Sequence, residues 1–318
     1  MDNLENNISN IAINHYKYLM NLENVNGVAL SYKYIKGINT FEPCISVLVE
    51  NKVSSKFLTS NNIIPKNYMG IKTDVIAIGK PSMEDIDGGV IFFKMRPLQA
   101  GCVIGSTIRY ASGTMCCIVK KYFKKGIFKK IKYYILSNNH ILANRNKNPI
   151  GTKFIQPSLV ENGDASSDMV ATLDTFIPIK FIEDNQESEN VVDAGIAEIF
   201  DSHIISNKIF PDIKIKGITE PTLLLPVKKV GYKTGTTSGN IRGVNASVRL
   251  KVLENNSAVF KKQIISELRT SSGDSGSPIF TGNNELVGMH MAGGSDGFSI
   301  ANNINIVLKE LGVKLYTG

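Results

Sequence analysis

Leu4, Ile8, Ile11, Ala12, Leu19 and Leu22 recur at the spacing of one helix face and predict a helix over residues 4–22. His15 falls on the same face, as a surface or packing residue. Alternating apolar and polar positions then predict strands at Gly27–Tyr34 and Cys44–Val49, and Ile71–Ile78 reads as a third. Val53–Leu58 reads as a short helix. Turn signals at Lys80-Pro81-Ser82 and Asp87-Gly88-Gly89 end this stretch. Residues 1–95 therefore read as a small α+β unit.

From residue 96 the pattern shortens. Apolar runs of strand length recur at Gly113–Val119, Tyr133–Ser137, Met169–Leu173, Asp193–Ile199, Lys228–Gly231 and Ala246–Val252, with Gly, Asn and Pro between them. Many short strands separated by turn residues indicate a barrel or sandwich. Pro278–Met291 reads as a hairpin turning at Gly282-Asn283-Asn284, and Ile304–Leu311 as a closing helix. The chain thus divides into residues 1–95 and 96–318.

Composition narrows the class. The 318 residues are 42% hydrophobic and 20% charged, ordinary for a globular protein. No apolar stretch reaches membrane-spanning length, and the first residues do not resemble a secretory signal, so the expected compartment is the cytoplasm and no membrane partner is expected. Cys44, Cys102, Cys116 and Cys117 show no metal-ligand spacing, and no metal or cofactor is expected. The net charge is +8, and seven lysines fall between Lys120 and Lys132. That run reads as a solvated β-hairpin turning near Gly126. Its alternative, nucleic-acid binding, has no sequence-reading motif behind it, so nucleic acid is not the expected partner.

Candidate chemistry centres on Gly273-Asp274-Ser275-Gly276-Ser277-Pro278. Flanking glycines permit a tight turn that exposes the Ser275 hydroxyl and aims the N–H groups of Gly273 and Ser275 at one spot. A serine nucleophile needs a base. Of the four histidines, His140 stands where the apolar run Tyr134–Leu136 ends in Ser-Asn-Asn. The base needs a buried carboxylate, and Asp193, at the mouth of the run Gly195–Ala197, is the first candidate. Asp168 has a similar setting and is the second. The order His, Asp, Ser excludes the subtilisin and α/β-hydrolase arrangements.

With these blocks in place, residues 96–318 resemble the trypsin/chymotrypsin superfamily of serine proteases, in a bacterial intracellular branch. Leu136–His140, Val192–Ala197 and Gly273–Pro278 match its three blocks, and Val230–Gly239 resembles the glycine-rich opening of its second barrel. The resemblance implies a mainly β, chymotrypsin-like double antiparallel β-barrel, preceded here by the small α+β domain. It implies a serine endopeptidase with catalytic His140, Asp193 and Ser275, acting through an acyl-enzyme on a protein or peptide substrate. Three departures stand out. The usual disulfides are missing, no activation-cleavage motif offers Asp274 a new N-terminus, and no tryptophan lines the pocket.

The family's pocket positions fall on Arg269, Thr270 and His290, with Met291–Gly293 beside them. Arg269 argues against basic substrates. Thr270 and His290 resemble the groups with which glutamyl endopeptidases hold an acidic side chain. The plainer alternative turns Arg269 to solvent and leaves His290 a core residue. A catalytically inactive scaffold of the same fold is the alternative function. The leading unit is open to self-association or to a regulatory partner.

Overall fold

The computed structural model describes residues 3–83, 89–125, 128–183, 189–253, 256–293 and 297–318. The architecture is mainly β: an antiparallel sheet in the first half, and a larger sheet whose central strands close on themselves in the second half and which also takes in the leading strands, with a helix ahead of them.

The second half forms a closed ring. Pro226–Gly231 pairs with Gly235–Leu253, which pairs with Asn256–Ser266. That strand pairs with Ser299–Asn303, then come Glu285–Gly293 and Pro278–Thr281, and the last pairs back onto Pro226–Gly231. Six antiparallel strands therefore close a barrel with no free edge at its waist. The first half runs Cys117–Lys125, Phe128–Ser137, Gly195–Ile199, Met169–Phe176, Lys153–Ile155, Val103–Ser106 as an open antiparallel sheet. Its interior holds Val119, Tyr134, Leu136, Phe154, Leu173 and Ile196, all buried.

The leading unit is sewn to the barrel. The strand Gly235–Leu253 is 19 residues long; its first part pairs with Pro226–Gly231, and its later part takes Val25–Ile35 on the same edge, with Leu30 opposite Val244. Ile38–Val49 and Ile71–Ala77 extend that sheet outward. Ile8, Ile11, Leu19, Val28 and Val47 share one core with Val227, Ile241, Ile264 and Val287 of the barrel. Beyond Ala77, Ser82 bridges Lys251 and Gly293, and the N–H groups of Val90 and Ile91 reach the Tyr232 carbonyl.

Several local expectations need correction. The leading helix stops at Asn14, a second short helix covers Lys17–Met20, and Tyr16 rather than the exposed His15 enters the core. Tyrosine buries the larger apolar surface, which decides the choice. Val53–Leu58 yields only a 3-10 turn, Ser55–Phe57. The turn expected near Gly126 and the Asp87-Gly88 break lie outside the described residues. All four cysteines are buried free thiols, and burial raises Cys102 to about 12. Among the described residues no helix is long and apolar enough to cross a membrane.

Candidate active site

The apolar strand Phe128–Ser137 carries the chain inward, and the short helix Asn139–Leu142 that follows buries His140 completely. Asp193, also fully buried, stands two residues before the strand Gly195–Ile199, which pairs with Phe128–Ser137. The two side chains meet: His140 Nδ1 lies 2.5 Å from Asp193 Oδ2, and the backbone N–H of His140 donates to Asp193 Oδ1 at 3.0 Å. A carboxylate so placed holds the proton on Nδ1 and leaves Nε2 as the acceptor. His140 Nε2 is buried and makes no hydrogen bond.

Asp168 is elsewhere. Its carboxylate pairs with Lys94 at 2.5 Å and accepts the Asp164 N–H at 2.9 Å. Burial alone would raise its pKa, but the Asp164 N–H and the Lys94 ammonium outweigh burial and lower it. Asp193 is thus the carboxylate that reaches His140.

Two asparagines missed by sequence reasoning hold Asp193 from behind. Its N–H donates to Asn302 Oδ1 at 2.8 Å, and its carbonyl accepts from Asn138 Nδ2 at 2.9 Å. Asn302 belongs to the barrel, so this clasp ties the two halves together beside the site.

The loop Gly273–Pro278 enters from the barrel. Gly273 and Gly276 adopt φ of +102° and +93°, a region that disfavours any residue with a Cβ. A Cβ on Gly276 would sit 2.0 Å from the Thr114 carbonyl and 2.3 Å from Ser137 Oγ, so the loop packs directly on the strand end that leads to His140. Thr114 also donates its N–H to the Ser275 carbonyl at 2.8 Å, and its hydroxyl to the Gly273 carbonyl at 2.9 Å. Ser275 Oγ donates to the Met291 carbonyl at 3.3 Å. Among the described residues the N–H groups of Gly273 and Ser275 meet no protein acceptor.

Asp274, between them, is fully buried and pairs with fully buried Lys229 at 3.0 Å. It also accepts from Thr234 Oγ1 at 2.7 Å and from the N–H groups of Ser271, Lys233 and Thr234. Burial raises the carboxyl's pKa, yet the Lys229 ammonium and the Thr234 hydroxyl hold it below its ordinary value. Lys229 itself is lowered by burial, with Asp274 opposing. The partner that the sequence failed to offer Asp274 is therefore an internal lysine on Pro226–Gly231. Its only sequence signal is a cation at an inward position of an alternating strand.

The expected pocket residues divide. Arg269 is exposed, and its carbonyl accepts from Thr237 Oγ1 at 2.9 Å. Thr270 touches the strand Glu285–Gly293, since a Cβ on Gly293 would lie 2.4 Å from Thr270 Oγ1. His290 is buried on that strand; burial lowers its pKa to about 3 against the pull of Asp274, and its Nδ1 makes no hydrogen bond.

Residues 6–77 match the NARROW LEAF 1 N-terminal domain. No curated protein sequence matches the chain. Among solved structures, Thermobifida fusca protease A is similar over 69% of this chain and 98% of its own, at 18% identity and TM-score 0.49. A glutamic-acid-specific serine protease, described as using a histidine triad in substrate binding, is similar over 69% of this chain and 100% of its own, at 18% identity and TM-score 0.47. Cellulomonas bogoriensis chymotrypsin matches at 15% identity and TM-score 0.46, over 69% and 98% of the two chains. These neighbours are trypsin- or chymotrypsin-like serine proteases.

Proposed function

We propose that the protein is a serine endopeptidase. The observation that supports this reading most is the buried His140–Asp193 pair with its unpaired Nε2, taken with a loop that carries Ser275 and two unpaired N–H groups and packs on the Ser137 strand end leading to His140. Ser275 Oγ turns from the Met291 carbonyl to His140 Nε2, gives up its proton there and attacks the peptide carbonyl. The N–H groups of Gly273 and Ser275 receive the oxyanion. The imidazolium, held by Asp193, returns the proton to the leaving amine, and water then releases the acyl group by the reverse transfers.

An acidic side chain before the scissile bond is the preference we infer, with Thr270 and the unpaired His290 Nδ1 as its partners. The exposure of Arg269 gives that residue at most a long-range part. The tests are labelling by a fluorophosphonate probe and profiling against a peptide library. Wild-type protein should label and Ser275→Ala should not. Dominant cleavage after basic or large apolar residues would remove the acidic preference. The bond from Ser275 Oγ to the Met291 carbonyl favours the second reading, an inactive scaffold. Wild-type protein that fails to label would establish that reading instead.

A further inference from the structure

The strands Cys117–Lys125 and Phe128–Ser137 leave the first sheet as a two-stranded ribbon. On one side the chain's last strand pairs only with Val119 and Lys120; on the other, Gly195–Ile199 pairs only with Tyr134–Ser137. From Lys121 and Tyr133 outward, both edges are unpaired among the described residues. Directly opposite residues share a face. One face therefore carries Lys121, Lys132, Phe123 and Lys130, the other Lys120, Tyr122, Ile131 and Tyr133 with Lys314 beside them.

This arrangement works against the ribbon's own stability. Lys121 stands opposite Lys132, and Lys120 opposite Lys314, where like charges destabilise a ladder. Lys121 and Lys132 both place their ammonium groups over the one Phe123 ring, at 6.0 and 5.6 Å. Lys314 lies 5.9 Å from the Tyr122 ring on the other face. Among the described residues, the carboxylate that pairs with these lysines is Glu198, 2.7 Å from Lys132. Tyr122, Phe123 and Ile131 are exposed between the cations.

We propose that this ribbon binds duplex DNA, entering the major groove. Charge on both faces of a ribbon with two unpaired edges matches a polyanion that flanks it on both sides. The B-form major groove does this: it is about 12 Å wide, admits a two-stranded ribbon and has a phosphate wall on each side. An acidic peptide laid along one edge would leave the opposite face unmatched. The deep, narrow major groove of an RNA duplex excludes side chains. With lysines and apolar groups in place of base-reading amides, binding is independent of sequence.

The test is fluorescence anisotropy of a labelled 20-bp DNA duplex with the full chain. With about three or four phosphate contacts, affinity should fall about a hundredfold between 50 and 200 mM salt. Lys121→Glu/Lys130→Glu should weaken binding at least tenfold, with a thermal midpoint no lower than wild type, since Lys121→Glu relieves the repulsion from Lys132, and with unchanged fluorophosphonate labelling. Lys52→Glu/Lys56→Glu, which alters two exposed lysines of the leading unit by the same charge, should bind as wild type. Equal loss in both variants would reduce the effect to net charge and overturn the proposal. So would no binding at 50 mM salt, or tighter binding of polyglutamate than of the duplex. Labelling by the fluorophosphonate is read separately, so failure here leaves the protease reading standing.

Discussion

Lys229→Met removes an ammonium group from beside a carboxylate that has no exposure to water. The pair is 3.0 Å long and both side chains are fully buried. Removing one partner of such a pair costs about 3–5 kcal/mol, because the other charge stays behind unpaired. Asp274 keeps the Thr234 hydroxyl and three N–H donors, which puts the loss near the lower end, about 3 kcal/mol. At ~2 cal/mol/K per residue for a chain of 318 residues, Tm falls by about 4–5 °C. The pH dependence is diagnostic. In the wild type the Asp274 carboxyl sits below its ordinary pKa, so its contribution is present at neutral pH and is lost as pH falls through that lowered value. Without the ammonium, burial dominates and the folded-state pKa rises above the unfolded one. The variant's carboxyl then destabilises at neutral pH and is relieved by protonation, so the gap between the two proteins narrows toward pH 4. Lys229→Met/Asp274→Asn should recover part of the loss. Calorimetry and urea unfolding from pH 4 to 8 measure all three proteins. A Tm within 1 °C of wild type, a pH-independent gap, or a double variant no better than the single would refute the assignment of Lys229 as the anchor of the loop.

His290, lowered to about 3, takes up its proton in the unfolded chain first, so stability should fall as pH drops from 6.5 toward 3. At about 1.4 kcal/mol per pH unit the loss is about 2–3 kcal/mol by pH 4.5, and His290→Gln should flatten that slope in urea unfolding; an unchanged slope would contradict it. Gly276→Ala combines a positive φ with a Cβ 2.0 Å from the Thr114 carbonyl, so it should lower Tm and abolish fluorophosphonate labelling, and a variant with normal Tm and labelling would show that the loop relaxes freely.

What the sequence disclosed followed from how local each signal is. Gly273–Pro278 carries its own turn chemistry, and His140 stands where an apolar run breaks into polar residues, so both were legible. The choice of Asp193 over Asp168 needed three dimensions, because each sits at the mouth of an apolar run and only contact with His140 or Lys94 separates them. Lys229 gave only the weak signal of a cation at an inward strand position next to exposed Lys228; its burial is worthwhile only because Asp274 waits 45 residues away. Gly235–Asn245 is rich in Gly, Ser, Thr and Asn and carries no strand pattern of its own, yet partner strands draw it into the 19-residue strand, with register shifts along its pairing. No local periodicity could reveal that Val25–Ile35 joins this strand.

That junction sets an order of events in biosynthesis. Ser31 Oγ donates to the Arg242 carbonyl across 211 residues of chain, at 2.7 Å. The leading strands leave the ribosome long before the strand they pair with, and at ~5–20 residues per second the wait is about ten to forty seconds. Meanwhile the apolar face of Val28, Leu30, Ile45 and Val47 has no barrel to cover it. Closing a contact of such separation is intrinsically slow, so the nascent leading unit is the segment most in need of a chaperone. The nucleophile loop comes still later in the chain, which keeps a growing polypeptide from meeting its own finished active site.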